Sequence, residues 1–261
     1  MYPYWKKQTL DKPLFPDIEW SKPEQKSLAG RLGIIGGNKL GFTGVAEAYT
    51  TALSAGVGET RVLLPDALRK TIPAVITDVV FAASNPSGSL AKDALIEALT
   101  LGSWSSGMLL VGDAGRNSET AILYENFINQ YNGQLTITRD AIDLVKNSNQ
   151  LLVERPNTML VLSFAQLQKL FQSVYYPKIL TFSMQLAQLV EALHKFTITY
   201  PVEITVLHKD HIVIAGGGEI ITADWNDPMR IWRGTVASQI ASYMIWNPNN
   251  HLAAAVTAIG K

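Results

Sequence analysis

No cysteine occurs among the 261 residues, which excludes disulfides, thiolate nucleophiles and thiolate metal sites together. Neither sign of charge is in excess: 22 Lys plus Arg stand against 22 Asp plus Glu. A general nucleic-acid or anionic-membrane role therefore has no electrostatic footprint. No apolar run reaches the roughly 18 residues that span a bilayer. The opening Met1-Tyr-Pro-Tyr-Trp-Lys-Lys-Gln8 leads into charged, proline-containing sequence rather than an apolar core. No export signal is read there, and a cytoplasmic protein is expected. Neither a P-loop nor the dinucleotide fingerprint occurs. Internal repeats and low-complexity linkers are missing too, so one domain is expected over residues 31–261, preceded by an extended arm at 1–30. Pro3, Pro13, Pro16 and Pro23 alternate there with Trp5, Phe15 and Trp20. Those aromatics would pack onto the domain or a neighbouring subunit.

What is present is a chain 47% hydrophobic and 17% charged, a balance that suits a sheet buried on both faces. Leu32 to Ile35 is a short apolar run of strand type, stopped by Gly36-Gly37-Asn38. A helix is expected from Thr43, with Val45, Ala48, Tyr49, Ala52 and Leu53 on its buried side. The turn between them either offers free amides and a positive dipole end to an anion or supplies the glycines that a close crossover needs.

The same grammar repeats along the chain. Thr60 to Pro65 reads as a strand followed by a helix at Asp66 to Lys70, Val75 to Ala82 as an apolar segment, and Leu90 to Leu101 as a helix. Strands are expected at Met108 to Gly112, Leu135 to Asp140, Met159 to Leu162 and Glu203 to His208. Ser163 can cap a helix over Gln166 to Phe171, and Phe182 to Phe196 has a helical period. His211 to Thr222 reads as a hairpin turning on Gly216-Gly-Gly218. Helices at Gly234-Thr235 to Trp246 and His251 to Ile259 close the chain. This alternation predicts an α/β three-layer sandwich, with a mostly parallel central sheet and helices on both faces. Ligands of such sheets lie beyond the carboxyl ends of the strands. The rim segments are then Gly36 to Gly44, Gly112 to Asn117, Thr138 to Asp140, Ser163-Phe164, His208 to Asp210 and Asp224 to Thr235.

The order of these pieces resembles the ADP- or ATP-dependent NAD(P)H-hydrate dehydratases, a branch of the ribokinase-like superfamily. Gly36-Gly37-Asn38, Gly44-Val-Ala and Ala52-Leu-Ser-Ala-Gly-Val-Gly58 are similar to that family's opening glycine turn and helix. Gly112-Asp113-Ala-Gly115 stands where the family has Gly-Pro-Gly-Leu-Gly. Thr138-Arg-Asp140-Ala-Ile stands at its Asp-Ala-Asp-Ala-Leu, keeping one acid of two. Lys209 matches the lysine of its Leu-Lys-Gly element. The resemblance implies a ribokinase-like fold binding ATP or ADP with Mg2+, acting on hydrated NAD(P)H, in a homo-oligomer without nucleic-acid or membrane partners.

On that resemblance the dinucleotide would lie on Gly36, Gly37, Asn38, Gly44, Gly112, Asp113 and Gly115. Lys209, Arg233, Gly234 and Thr235 would hold nucleotide phosphates. The family's catalytic aspartate, in a Gly-Thr-Gly-Asp turn at a helix start, corresponds here to Thr235 or Val236, neither of which accepts a proton near neutral pH. Losing a general base typically removes about 100- to 10,000-fold in rate, so the dehydratase chemistry is expected to be weakened or lost. Two alternatives stay open: a small-molecule kinase using Asp140 or Asp227 as base, and a non-catalytic assembly or binding module. No metal site is assigned: Asp113 and Asp140 either bind magnesium through waters or cap the helices that follow them.

Overall fold

In the computed structural model, residues 2–9, 11–72 and 74–260 are described. The strands are β1 (Trp5–Lys7), β2 (Arg31–Gly36), β3 (Glu59–Pro65), β4 (Val79–Ala82), β5 (Gly107–Gly112), β6 (Gln134–Thr138), β7 (Thr158–Leu162), β8 (Glu203–His208), β9 (His211–Gly216) and β10 (Glu219–Asp224). They form one sheet in the order β1-β10-β9-β8-β7-β6-β5-β2-β3-β4. β2 through β8 run parallel, β9 is antiparallel to both neighbours, and β1 joins β10 in parallel. The helices are α1 (Thr43–Ala55), α2 (Leu95–Trp104), α3 (Ser118–Gln130), α4 (Asp140–Leu144), α5 (Asn149–Glu154), α6 (Phe164–Ser173), α7 (Leu186–Thr199), α8 (Pro228–Trp232), α9 (Thr235–Trp246) and α10 (His251–Ile259).

Side chains alternate across a strand, and that alternation divides the core into two layers. Met108 and Leu110 of β5, with Leu160 and Leu162 of β7, enter the layer beneath α3, α6 and α7. Leu109, Val111, Met159 and Val161 enter the opposite layer, with Val45 of α1, Ile240 of α9 and Val256 of α10. Both faces are covered, so the central strands are apolar throughout, and the expected three-layer α/β sandwich is the architecture observed.

Local departures have local causes. The helix expected at Asp66 to Lys70 is a single 3-10 turn, Asp66–Leu68, because so short a stretch cannot repay helix nucleation. Leu53 is exposed, standing one position past the Ala48-Tyr49-Ala52 stripe that faces the sheet. The helix expected from Leu90 begins at Leu95 after a 3-10 turn at Lys92–Ala94; the Leu90 carbonyl is held by Asn85 Nδ2 (3.2 Å) and the Thr120 hydroxyl (2.7 Å), which removes it as a helical acceptor. α7 begins at Leu186 rather than Phe182, where Gln185 and Gln188 form a reciprocal cap. Ser163 caps α6 in the same way with Gln166. At the amino terminus, Trp5 Nε1 donates to Thr222 Oγ1 (3.0 Å) and the Tyr4 ring stacks on His194, so residues 5–7 lie on this chain's own sheet edge.

Candidate functional site

Parallel strands carry their carboxyl ends to one rim, and three glycine turns meet there. The Gly37 amide donates to the Gly112 carbonyl (2.8 Å), and the Cβ position of Gly36 is occupied by that same carbonyl. Gly234, left-handed at φ 89° and at the cap of α9, lies against the side chains of Arg139, Val111 and Thr138. A cavity of about 390 Å³ opens beside them, lined by Asp113, Thr138, Arg139, Asp140, Val161, Ser163, Gln166, Ile231 and Trp232.

At its centre is a ladder of charge built from strand ends β5 and β6. One Asp113 carboxylate oxygen accepts the Gly44 amide of α1 at 2.5 Å; the other accepts from the Arg139 guanidinium. A second Arg139 nitrogen donates to the Trp232 carbonyl at 2.5 Å. Asp140 accepts the Asp113 amide (2.7 Å) and the Ala114 amide (3.1 Å) with its two oxygens. Asp113 (φ 53°) and Arg139 (φ 57°) both hold left-handed backbone that non-glycine residues seldom adopt. Residues kept in such conformations cluster at functional sites, where neighbouring contacts over-determine them. Burial pushes the Tyr124 phenol far up, with Asp140 and Asp113 adding to the effect, so its hydroxyl, which has no partner among the described residues, stays protonated.

The residues singled out from the sequence divide by what their groups now do. Asn38 is buried and braces the 84–90 loop, donating to Ser89 Oγ (2.5 Å) and the Ser87 carbonyl (3.2 Å) while accepting the Leu40 amide (2.8 Å). The amides of Gly37, Gly44, Asp113 and Ala114 are all bonded within the chain. Gly115 lies against Asn38 and Ser89. At α9, by contrast, no side chain caps the first turn, whose leading amides have no partner within their own helix. Val236 itself is fully buried. Arg233 reaches back toward Glu47 at 3.8 Å. Lys209 turns the β8–β9 corner at φ 53° and donates to the Met184 carbonyl (3.2 Å), outside the cavity lining. Asp227 is exposed at the start of α8, and its backbone carbonyl accepts Trp225 Nε1 (2.7 Å).

Arg139 and Trp232 fall within the expected rim segments Thr138 to Asp140 and Asp224 to Thr235 but were given no role of their own there, and Gln166 was not picked out as a site residue. The available signal was the Thr-Arg-Asp triplet at a strand end, where any cation faces the rim. Gln166 couples Arg139 to α6: its Nε2 donates to the Arg139 carbonyl (2.8 Å) and to Asp143 (2.9 Å).

Nearby, His208 is buried between Phe164 and the Met184 carbonyl, which accepts from its Nε2 at 3.0 Å. Burial holds its imidazole below the ordinary value of 6.5, the Met184 carbonyl opposing and Lys209 and His211 assisting. The unfolded chain thus takes up a proton near pH 6.5 that the folded chain refuses, and stability falls as pH drops below that value. Melting temperatures between pH 7.5 and 5 should decline more steeply for the native chain than for His208→Gln; equal slopes would remove His208 from this role.

The layered architecture and rim define the ribokinase-like fold. A ribokinase-like superfamily protein from Enterococcus faecalis V583 superposes with TM-score 0.74 at 15% identity, over 100% of this chain and 87% of that one. A hypothetical protein from Streptococcus mutans gives 0.70 at 16% identity, covering 93% and 84%. The Bacillus subtilis ADP/ATP-dependent NAD(P)H-hydrate dehydratase, co-crystallised with ATP/Mg2+ and soaked with CoA, gives 0.62 at 11% identity, covering 93% and 83%. No family model and no curated protein matches the chain. No helix among the described residues is long and apolar enough to cross a membrane.

Proposed function

We propose that this chain is a divergent relative of the NAD(P)H-hydrate dehydratases that binds a nucleotide, ATP or ADP, at the start of α9, with its dehydratase chemistry weakened or lost. One observation carries the reading: the two carboxylates of the rim cavity are already committed. Asp113 is held by Arg139 and the Gly44 amide, and Asp140 by two amides of the Gly112 turn. Both carboxylates so bonded turn an oxygen pair toward N–H donors of the chain itself rather than toward a substrate hydroxyl. At the helix start, Thr235 and Val236 stand where the resemblance implies the base.

Phosphate binding is supported by what remains free there. The leading amides of α9 have no side-chain cap, and the helix dipole there favours an anion. Arg139 brings a guanidinium fork beside them, and such forks suit phosphate oxygens. Gly44, Gly112 and Gly115 then shape the turn, while their neighbours' amides serve the chain itself. Magnesium fits only weakly: no group of three or more potential ligands occurs among the described residues, and Asp113 and Asp140 face N–H donors. A cation would therefore arrive on the nucleotide's own phosphates with waters. Hydrated NAD(P)H remains the substrate class for any residual activity, in a cytoplasmic homo-oligomer.

A thermal-shift series with ATP, ADP and NADH, with and without Mg2+, tests the reading. ATP at 100 times its dissociation constant should add about 2.7 kcal/mol, without phosphate release. No shift with either nucleotide would favour the assembly module. Rapid turnover of hydrated NADH would restore the dehydratase, and phosphorylation of a sugar or vitamin would support the kinase.

A further inference from the structure

A second and larger cavity, about 860 Å³, lies away from the start of α9, in the helical layer between α3, α4 and α6. Only Asp140 and Gln166 line both cavities, so they form the wall between them. Its size falls in the range of small-molecule sites. Arg116 and Lys146 stand along it, and neither makes an ion pair among the described residues. The third cation, Lys169, is already engaged by Asp143 at 3.1 Å. The rest of the lining is mixed, with half-buried Ala121 and Leu144 as its partly exposed apolar side chains beside Asn117, Asn147 and Asp143. Asn149 also lines it: it is buried, and its amide nitrogen donates to Ser173 Oγ (2.7 Å), whose hydroxyl donates on to the Leu170 carbonyl (2.8 Å). That chain leaves the Asn149 side-chain oxygen as an acceptor with no partner among the described residues.

We propose that this groove is a separate binding site for a phosphorylated small molecule with an apolar body. Its phosphate sits between Arg116 and Lys146, its body covers Ala121 and Leu144, and a donor on it reaches Asn149. Two cations without acidic partners select the anion, because a phosphate gains charge-assisted bonds there and no ion pair must first be broken. Half-buried Ala121 and Leu144 select against bare inorganic phosphate, since only a ligand with a body removes their remaining apolar surface from water. The site does not depend on nucleotide binding at α9.

Calorimetric titration of inorganic phosphate and phenyl phosphate into the intact chain tests this. Phenyl phosphate should bind about tenfold more tightly than inorganic phosphate. The double variant Arg116→Glu/Lys146→Glu should lose at least about tenfold in phenyl phosphate affinity, whereas Arg139→Met should leave that affinity unchanged. Both altered residues of the pair are exposed, and circular dichroism melts check that folding persists. The proposal is overturned if phenyl phosphate does not bind at about 10 mM, if it binds no better than inorganic phosphate, or if its affinity follows Arg139 instead of the pair. A loss of ATP binding in Arg139→Met with phenyl phosphate unaffected would separate the two sites directly.

Discussion

Gly112→Ala should lower stability by about 4 kcal/mol, because an unfavourable backbone and two disrupted buried bonds add together. Gly112 holds φ 92°, a conformation that costs an L-residue roughly 1 kcal/mol or more. Its Cβ would also fall on Asp140 Oδ1 and lie 2.9 Å from the Ala141 amide. The Asp140 carboxylate must then move, and the Asp113 and Ala114 amides lose their acceptor. Each orphaned amide costs about 1–3 kcal/mol. For a domain of this size the melting temperature should fall by about 8–16 °C. Gly217→Ala is the matched control, since Gly217 has φ 56° with nothing within 4 Å of its Cβ position; only the backbone term applies, about 1 kcal/mol. Equal melting shifts in the two variants would mean that Asp140 does not lock the turn.

That lock also explains what the sequence made legible and what it hid. Runs such as Met108-Leu-Leu-Val111 announce strands buried on both faces, and glycines after them announce the turns, so sheet, layers and rim could be read in chain order. The hydrogen-bond ledger of those turns could not. Gly44 receives its acceptor from Asp113, 69 residues on, and the Asp113 amide from Asp140, 27 residues on. A glycine turn looks alike in sequence whether its amides await a phosphate or already hold a carboxylate. Arg139 lay inside an expected rim segment, but its role was hidden for a related reason: it comes from Gly234 leaving room for its side chain, a contact between segments that only folding brings together. The edge strand β1 was read as an arm because three residues between prolines and aromatics have too little periodicity to declare a strand. α8 escaped because a five-residue helix entered at Pro228 is indistinguishable from a turn on local signals alone.

Arg139→Met and Asp113→Asn should move nucleotide affinity in opposite directions. Arg139 is shared between Asp113 and any phosphate bound at α9, so an incoming anion must compete with the carboxylate for the same guanidinium. Removing the guanidinium takes away a charge-assisted interaction worth about 1.5–3 kcal/mol, a weakening of ATP of about 10- to 100-fold. Removing the charge at residue 113 acts the other way. Asparagine keeps an oxygen for the Gly44 amide while releasing Arg139 from its ion pair, and ATP should bind several-fold more tightly. The pair is partly buried, with side-chain exposures of 23% and 14%, so the effect should survive moderate salt better than that of a surface pair. Titrating ATP into both variants and the double variant at 50 and 300 mM salt decides the matter. If Asp113 acts through Arg139, its substitution has no effect once Arg139 is methionine, and the two changes are strongly non-additive. Additive changes, or weakening in both single variants, would show that Asp113 contributes to the ligand directly, and the carboxylate would then return as a candidate base.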